Sequence, residues 1–222
     1  MLKIAGLLAL SFMFPVIALA QALDYKAIIA RSAPVSIVFD QSFEQERGRQ
    51  LPLHFSIVVP TSPEEVLIKG KFDGDAAYGS LFFYTPEQQL AEYLNLSQVT
   101  IQQGTPEQRV EYLANAFRAQ ILPDYEGFDE FTNLGIREAR IAGYPAVEMV
   151  GHYMDEKYGR IILRTIGIFA PSGGRVLIAK SRTVLAGIPV ENVNGMSETF
   201  VGQVLESVKF IGTRNNGDLF TF

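Results

Sequence analysis

The chain has 222 residues, a formal net charge of −5, 48% hydrophobic residues, two histidines, and neither cysteine nor tryptophan. Without cysteine there is no disulfide framework, thiol nucleophile, thiolate zinc site, cysteine-ligated iron–sulfur cluster or acylated lipobox. The charge argues against a phosphate-binding face and a nucleic-acid partner, while length and hydrophobicity suit one globular domain and not a polytopic membrane protein.

Residues 1–20 read as a signal peptide. Lys3 supplies the positive start, Ile4 to Ile17 an apolar core interrupted by Pro15, and Ala18-Leu19-Ala20 the small residues at cleavage spacing. Cleavage is expected after Ala20. An uncleaved anchor needs about 20 apolar residues, which Ile4 to Ala20 barely supplies. The best later candidate for a span, Arg160 to Ala170, carries Arg164 in its middle, so the mature chain has no expected membrane span and a periplasmic or secreted location follows.

Residues 21–50 read as an N-terminal extension with a short helix at Leu23 to Ala30, a strand at Val35 to Phe39 and a charged connector at Glu44 to Gln50. From Leu51 to Val59 apolar residues alternate with Pro52, His54, Ser56 and Val58, the period of a half-buried strand, which ends at Pro60. Three helix starts are then predicted from one local chemistry: Ser62-Pro63-Glu64-Glu65, Thr85-Pro86-Glu87-Gln88 and Thr105-Pro106-Glu107-Gln108. Each pairs a hydroxyl N-cap with proline at the first helical position and an acid or amide that reaches back to the cap. The third start leads into Val110, Leu113, Ala114, Phe117 and Ile121 at helical spacing, and Pro123 is expected to stop it.

Strands are predicted at Leu134 to Ile141, Ala146 to Met154, Arg160 to Ala170 and Val176 to Leu185. The turns at Asp155 to Gly159 and Pro171-Ser172-Gly173-Gly174 are short and glycine-bearing, so neighbours should pair antiparallel. Arg160 to Ala170 is apolar on both faces, which places it centrally under two cover layers. The helix of residues 105–122 and a final helix near Met196 to Lys209, striped by Phe200, Val201, Val204, Leu205 and Val208, supply the covers. The fold class is α+β: an α/β/α sandwich around a mainly antiparallel central sheet. Residues 51–211 form its single domain and residues 212–222 a flexible tail.

The strand Phe55-Ser56-Ile57-Val58-Val59-Pro60, the Pro-capped segment after it, the mid-chain helix, Ile141-Ala142-Gly143-Tyr144-Pro145-Ala146-Val147 opening a run of antiparallel strands, and a closing helix ending near Phe210 make a recognisable order. In that order the chain resembles the PsbP/Mog1-like superfamily, including its bacterial periplasmic DcrB-like members, over about residues 51–211. The resemblance implies an antiparallel sheet flanked by helices, accessory and protein-interaction roles, and no shared active site.

Chemistry is sparse. A Ser-His-Asp site would need His54 or His152, yet neither sits in a motif and no Gly-x-Ser-x-Gly elbow occurs. Asp73-Gly74-Asp75 resembles the opening of a calcium loop, but Ala77 and Gly79 stand at the later ligand offsets, which leaves an ordinary acidic turn. No catalytic, cofactor or metal residues are assigned. Asp124, Glu126, Asp129 and Glu130 form an acidic loop whose aromatics, Tyr125, Phe128 and Phe131, are the candidate contact surface. The leading expectation is an exported, non-enzymatic domain that binds an envelope protein or assists assembly. The alternative is a small-ligand or lipid-binding periplasmic module, and a hydrolase comes third.

Overall fold

The computed structural model describes residues 22–48, 50–72, 77–171, 173–190 and 192–212. The expected signal peptide with its Ala20 cleavage site, the Asp73-Gly74-Asp75 turn and the tail from residue 213 lie outside the described residues.

In chain order the strands are β1 (Ala33–Phe39), β2 (Phe55–Thr61), β3 (Leu67–Lys71), β4 (Ala77–Tyr84), β5 (Leu90–Thr100), β6 (Thr132–Ile141), β7 (Tyr144–Asp155), β8 (Gly159–Phe169), β9 (Arg175–Val184) and β10 (Lys209–Phe210). They form a seven-stranded sheet of order β3-β4-β5-β9-β8-β7-β6 and a three-stranded sheet of order β1-β2-β10. Every neighbouring pair is antiparallel. The helices are α1 (Tyr25–Arg31), α2 (Gln41–Arg47), α3 (Pro106–Ala116), α4 (Leu122–Glu126) and α5 (Phe200–Glu206), with a 3-10 turn at Val193–Glu198 leading into α5.

β8 is the strand predicted to lie centrally, and it is buried from Ile161 to Phe169 between β9 and β7. On one face Ile161, Leu163 and Phe169 pack with Leu113, Phe117 and Tyr125 of the α3–α4 layer. On the other, Ile166 and Ile168 join Phe200, Val204 and Leu205 of α5 and Phe55 and Ile57 of β2. Each such side chain, once fully buried, contributes roughly 1.5–3 kcal/mol of transfer free energy, so the two faces together hold the helices to the sheet. Gly167 is bare on the α3 face because Leu113 needs the space: a Cβ there would lie 2.5 Å from Leu113 Cδ2. The sandwich is the predicted one, with the small sheet sharing the second cover layer with α5.

β1 belongs to the segment expected as an extension, and it pairs with β2 in a register that sets Ile37 opposite Ile57 and Phe39 opposite Phe55. Phe39 is fully buried, with ring centroids 4.7 Å from Phe55 and 5.6 Å from Tyr78. The expected charged connector at Glu44 to Gln50 is instead largely helical: Asp40 caps α2 by accepting from Ser42 N and Phe43 N, and Gly48 ends it in the left-handed conformation.

Of the three capped helix starts, one forms a helix. Thr105 accepts from Gln108 N at 3.3 Å while Gln108 Oε1 accepts from Thr105 N at 3.0 Å, a complete capping box. At Thr85 the same residue types close a tight loop in which Thr85 N donates to Gln89 O, and Leu90 onward is strand β5. At Ser62 the chain makes only a turn, closed by a bridge between Ser62 and Val66. Pro123 does not stop the third helix. The chain widens into a π-helical turn at Phe117–Ile121 and resumes as α4 with Pro123 in its first turn, where a missing N–H costs nothing.

Candidate interaction surface

The layer of α3 and α4 covers only part of the large sheet. The core beneath it draws its strand residues from β7, β8 and β9, and none of its buried residues comes from β3, β4 or β5. Among the described residues no helix covers the α3 side of those three strands, which forms a sheet surface beside a helical wall.

Register determines what that surface displays, because residues directly opposite on neighbouring strands share a face. Lys69 stands opposite Phe82, Phe82 opposite Tyr93, and Tyr93 opposite Arg182. The next row runs Lys71, Ser80, Asn95, Lys180. Two rows across four strands thus have a cation at each end and aromatic or neutral polar groups between, with no carboxylate among them. The Phe82 ring centroid lies 4.9 Å from Tyr93 and 6.3 Å from Tyr84, and Lys69 Nζ sits 5.0 Å from the Tyr84 centroid. Asn95 Nδ2 donates to Ser80 Oγ at 3.0 Å, and the Tyr93 hydroxyl is 3.3 Å from the same oxygen. Packing of rings against rings and ammonium against ring holds these side chains in place, which lowers the ordering cost of binding anything on them.

Where this surface meets the helical wall it deepens into a groove. One section, about 260 Å³, lies between Tyr93, Lys180 and Arg182 of the sheet and Asp124, Tyr125 and Phe128 of the α4 region. A second section, about 320 Å³, is bordered by Val99 and Ile178 on the strands and by Tyr112, Leu113 and Phe117 on the helix, and Lys180 lines both. The groove combines apolar and aromatic walls with the cations Lys180 and Arg182 and one carboxylate, Asp124.

Tyr125, Phe128 and Phe131 stand in and around this wall. Tyr125 is buried, its hydroxyl is 2.9 Å from Thr165 Oγ1, and burial pushes its phenol above the ordinary range, so it acts as a neutral hydroxyl. Phe128 is half-buried, stacks on Tyr153 at 4.5 Å and has the Arg182 guanidinium 5.6 Å from its ring centroid. Phe131 is half-buried against Gly151, away from the groove. The structure thus brings Tyr125 and Phe128 together at the groove and leaves Phe131 behind them.

The two histidines lie on different sheets or their flanks: His54 precedes β2 and is 3.2 Å from Glu44 Oε1, while His152 is in β7. No group of three or more His, Cys, Asp or Glu suited to a metal occurs among the described residues. No helix among them is long and apolar enough to cross a membrane.

Lys69, Phe82, Tyr84, Tyr93, Lys180 and Arg182 were not among the predicted contact residues. Phe82 and Tyr84 at a spacing of two were the one local hint of an aromatic strand face.

Neither a protein-family model nor a curated protein matches the chain. Its structure is similar to LpqN, involved in cell envelope biogenesis of Mycobacterium tuberculosis, at 13% identity and TM-score 0.45 over 83% of this chain and 95% of that one. It is similar also to cyanobacterial PsbP (CyanoP) from Synechocystis sp. PCC 6803, at 9% identity and TM-score 0.48 over 81% and 94%. A third is the Saccharomyces cerevisiae Ran-binding protein Mog1p, at 8% identity and TM-score 0.44 over 80% and 95%. At these identities the likeness concerns fold alone.

Proposed function

We propose that the chain is an exported, non-enzymatic binding domain whose open sheet face and adjoining groove receive an acidic segment of an envelope protein carrying apolar or aromatic side chains. The observation that carries this reading is the pair of cross-strand rows, Lys69-Phe82-Tyr93-Arg182 and Lys71-Ser80-Asn95-Lys180, on one face of a chain that is acidic overall. Aromatic and arginine side chains are the residues that dominate binding energy at protein interfaces, and a local basic surface steers an acidic partner toward them. Export is read from Lys3, the apolar run and Ala18-Leu19-Ala20, with cleavage after Ala20.

The test compares the wild-type chain with a Lys69→Glu/Arg182→Glu variant as bait in an envelope extract, with melting temperature measured for both. A partner that binds saturably, weakens with added salt and is lost only in the variant supports the reading. A partner held equally by the two proteins overturns it, as does finding no saturable partner.

The small-ligand reading draws on the groove section of about 320 Å³ between Val99, Ile178 and the α3 side chains. Native mass spectrometry of protein purified from its host separates the two: a retained small molecule of defined mass favours the ligand, and a co-purifying protein favours the partner.

A further inference from the structure

On the opposite face of the large sheet three strands bring ions together. Arg137 of β6 lies opposite Glu148 of β7, which accepts from it at 2.7 Å through Oε2. Glu148 Oε1 accepts from Nε of Arg164 on β8. Glu148 is 1% exposed and Arg164 6%, whereas the Arg137 side chain is 54% exposed. Two guanidinium groups therefore share one carboxylate, and the trio keeps one positive charge in excess.

A buried guanidinium is costly unless its donors are met. Arginine has five N–H donors, and among the described residues the Arg164 side chain spends only Nε. It makes no other hydrogen bond among the described residues, and its terminal nitrogens are not fully enclosed, so they keep contact with solvent. That contact is with a cleft of about 320 Å³, which Arg164, Arg137 and Glu148 line on the sheet side and Asn194 and Ser197 of the 3-10 turn line opposite. Glu138, Arg140 and Glu206 also line the cleft, so its lining carries three guanidinium groups and three carboxylates; Glu148 is held by both arginines, Glu206 accepts from Ala142 N at 2.9 Å, and Arg140 donates to Gly143 O at 2.7 Å.

We propose that this cleft is a binding site for a carboxylate, taken bidentately by the terminal nitrogens of Arg164 with Arg137 at its flank. The planar fork of a guanidinium matches the two oxygens of a carboxylate, and a bound carboxylate meets the Arg164 donors that no group among the described residues meets. The carboxylate is either that of a free small acid or an acidic side chain of a protein. The site lies on the face away from the aromatic rows and stands independently of the function proposed above.

The test follows the arginine side-chain N–H signals of the full chain by NMR during titration with succinate, with an end-capped peptide bearing a single glutamate, and with inorganic phosphate. Succinate or the peptide should shift the Arg164 and Arg137 signals saturably. Arg164→Gln should abolish the saturable shift of the Arg137 signals, and Arg137→Gln, altering an exposed side chain, should weaken the affinity read from Arg164 about tenfold or more. The Arg137 variant keeps the test decisive if the Arg164 variant does not fold. Tighter binding of the peptide than of succinate identifies a protein side chain as the source, and equal or weaker binding identifies a free acid. Shifts that rise without saturating, equal affinity in wild type and Arg137→Gln, or binding of phosphate alone would overturn the proposal.

Discussion

Glu92 offers the sharpest test of how the second cover layer is held. It lies on β5, is 0% exposed, and accepts from Val201 N at 2.9 Å at the start of α5 and from Thr183 Oγ1 at 2.7 Å, with Thr199 and Phe200 N as further donors. Burial pushes its carboxyl up to about 7 against those hydrogen bonds, which pull it down. The folded protein therefore holds a proton that the unfolded chain, titrating near 4.5, releases. Since the native state binds more protons between those values, unfolding free energy falls as pH rises through that window. The contribution is fully present below the unfolded value and is lost as pH passes the folded one. A shift of this size corresponds to about 3 kcal/mol, each pKa unit being worth about 1.4 kcal/mol. The perturbation is Glu92→Gln, which keeps the shape and removes the titration, while the Thr183 and Thr199 hydroxyls can turn to accept from the amide. Urea unfolding of both proteins at about pH 5 and about pH 8 should show the wild type losing about 2–3 kcal/mol more than the variant between the two conditions. Equal losses in wild type and variant would refute this account of Glu92.

Two further changes probe the packing and a turn. Gly167→Ala should destabilise by about 1–3 kcal/mol in thermal or urea unfolding, because its Cβ meets Leu113 at 2.5 Å, and adding Leu113→Val should recover part of the loss. Equal additive losses in the double variant would disprove that contact as the cause. At the hairpin between β6 and β7, Ala142 and Gly143 have φ of 52° and 82°, the left-handed pair of a type I′ turn. Ala142→Gly should relieve the Cβ strain and raise stability by up to about 1 kcal/mol, read as a rise in melting temperature, provided Ala142 N keeps its bond to Glu206.

Local sequence chemistry alone determined the element at Thr105, where the cap, the proline and an apolar stripe at helical spacing agree within one segment. It determined the four late strands too, because their turns are short and β8 is apolar on both parities, so a central place is the only way to bury it. The same cap residues at Thr85 decided nothing. Leu90-Ala91-Glu92-Tyr93-Leu94 fits either period over so few residues, and the choice went to strand because β4 and β9 offer hydrogen bonds on both sides, partners that lie as far off as Arg175 to Thr183. Tertiary structure likewise decided the surfaces. The row from Lys69 to Arg182 and the trio of Arg137, Glu148 and Arg164 exist only once register is set, since a slip of one residue would turn each side chain to the other face. Helix caps and strand alternation act over a few residues and can be read along the chain, whereas a binding face is assembled across strands by pairings that no local pattern encodes.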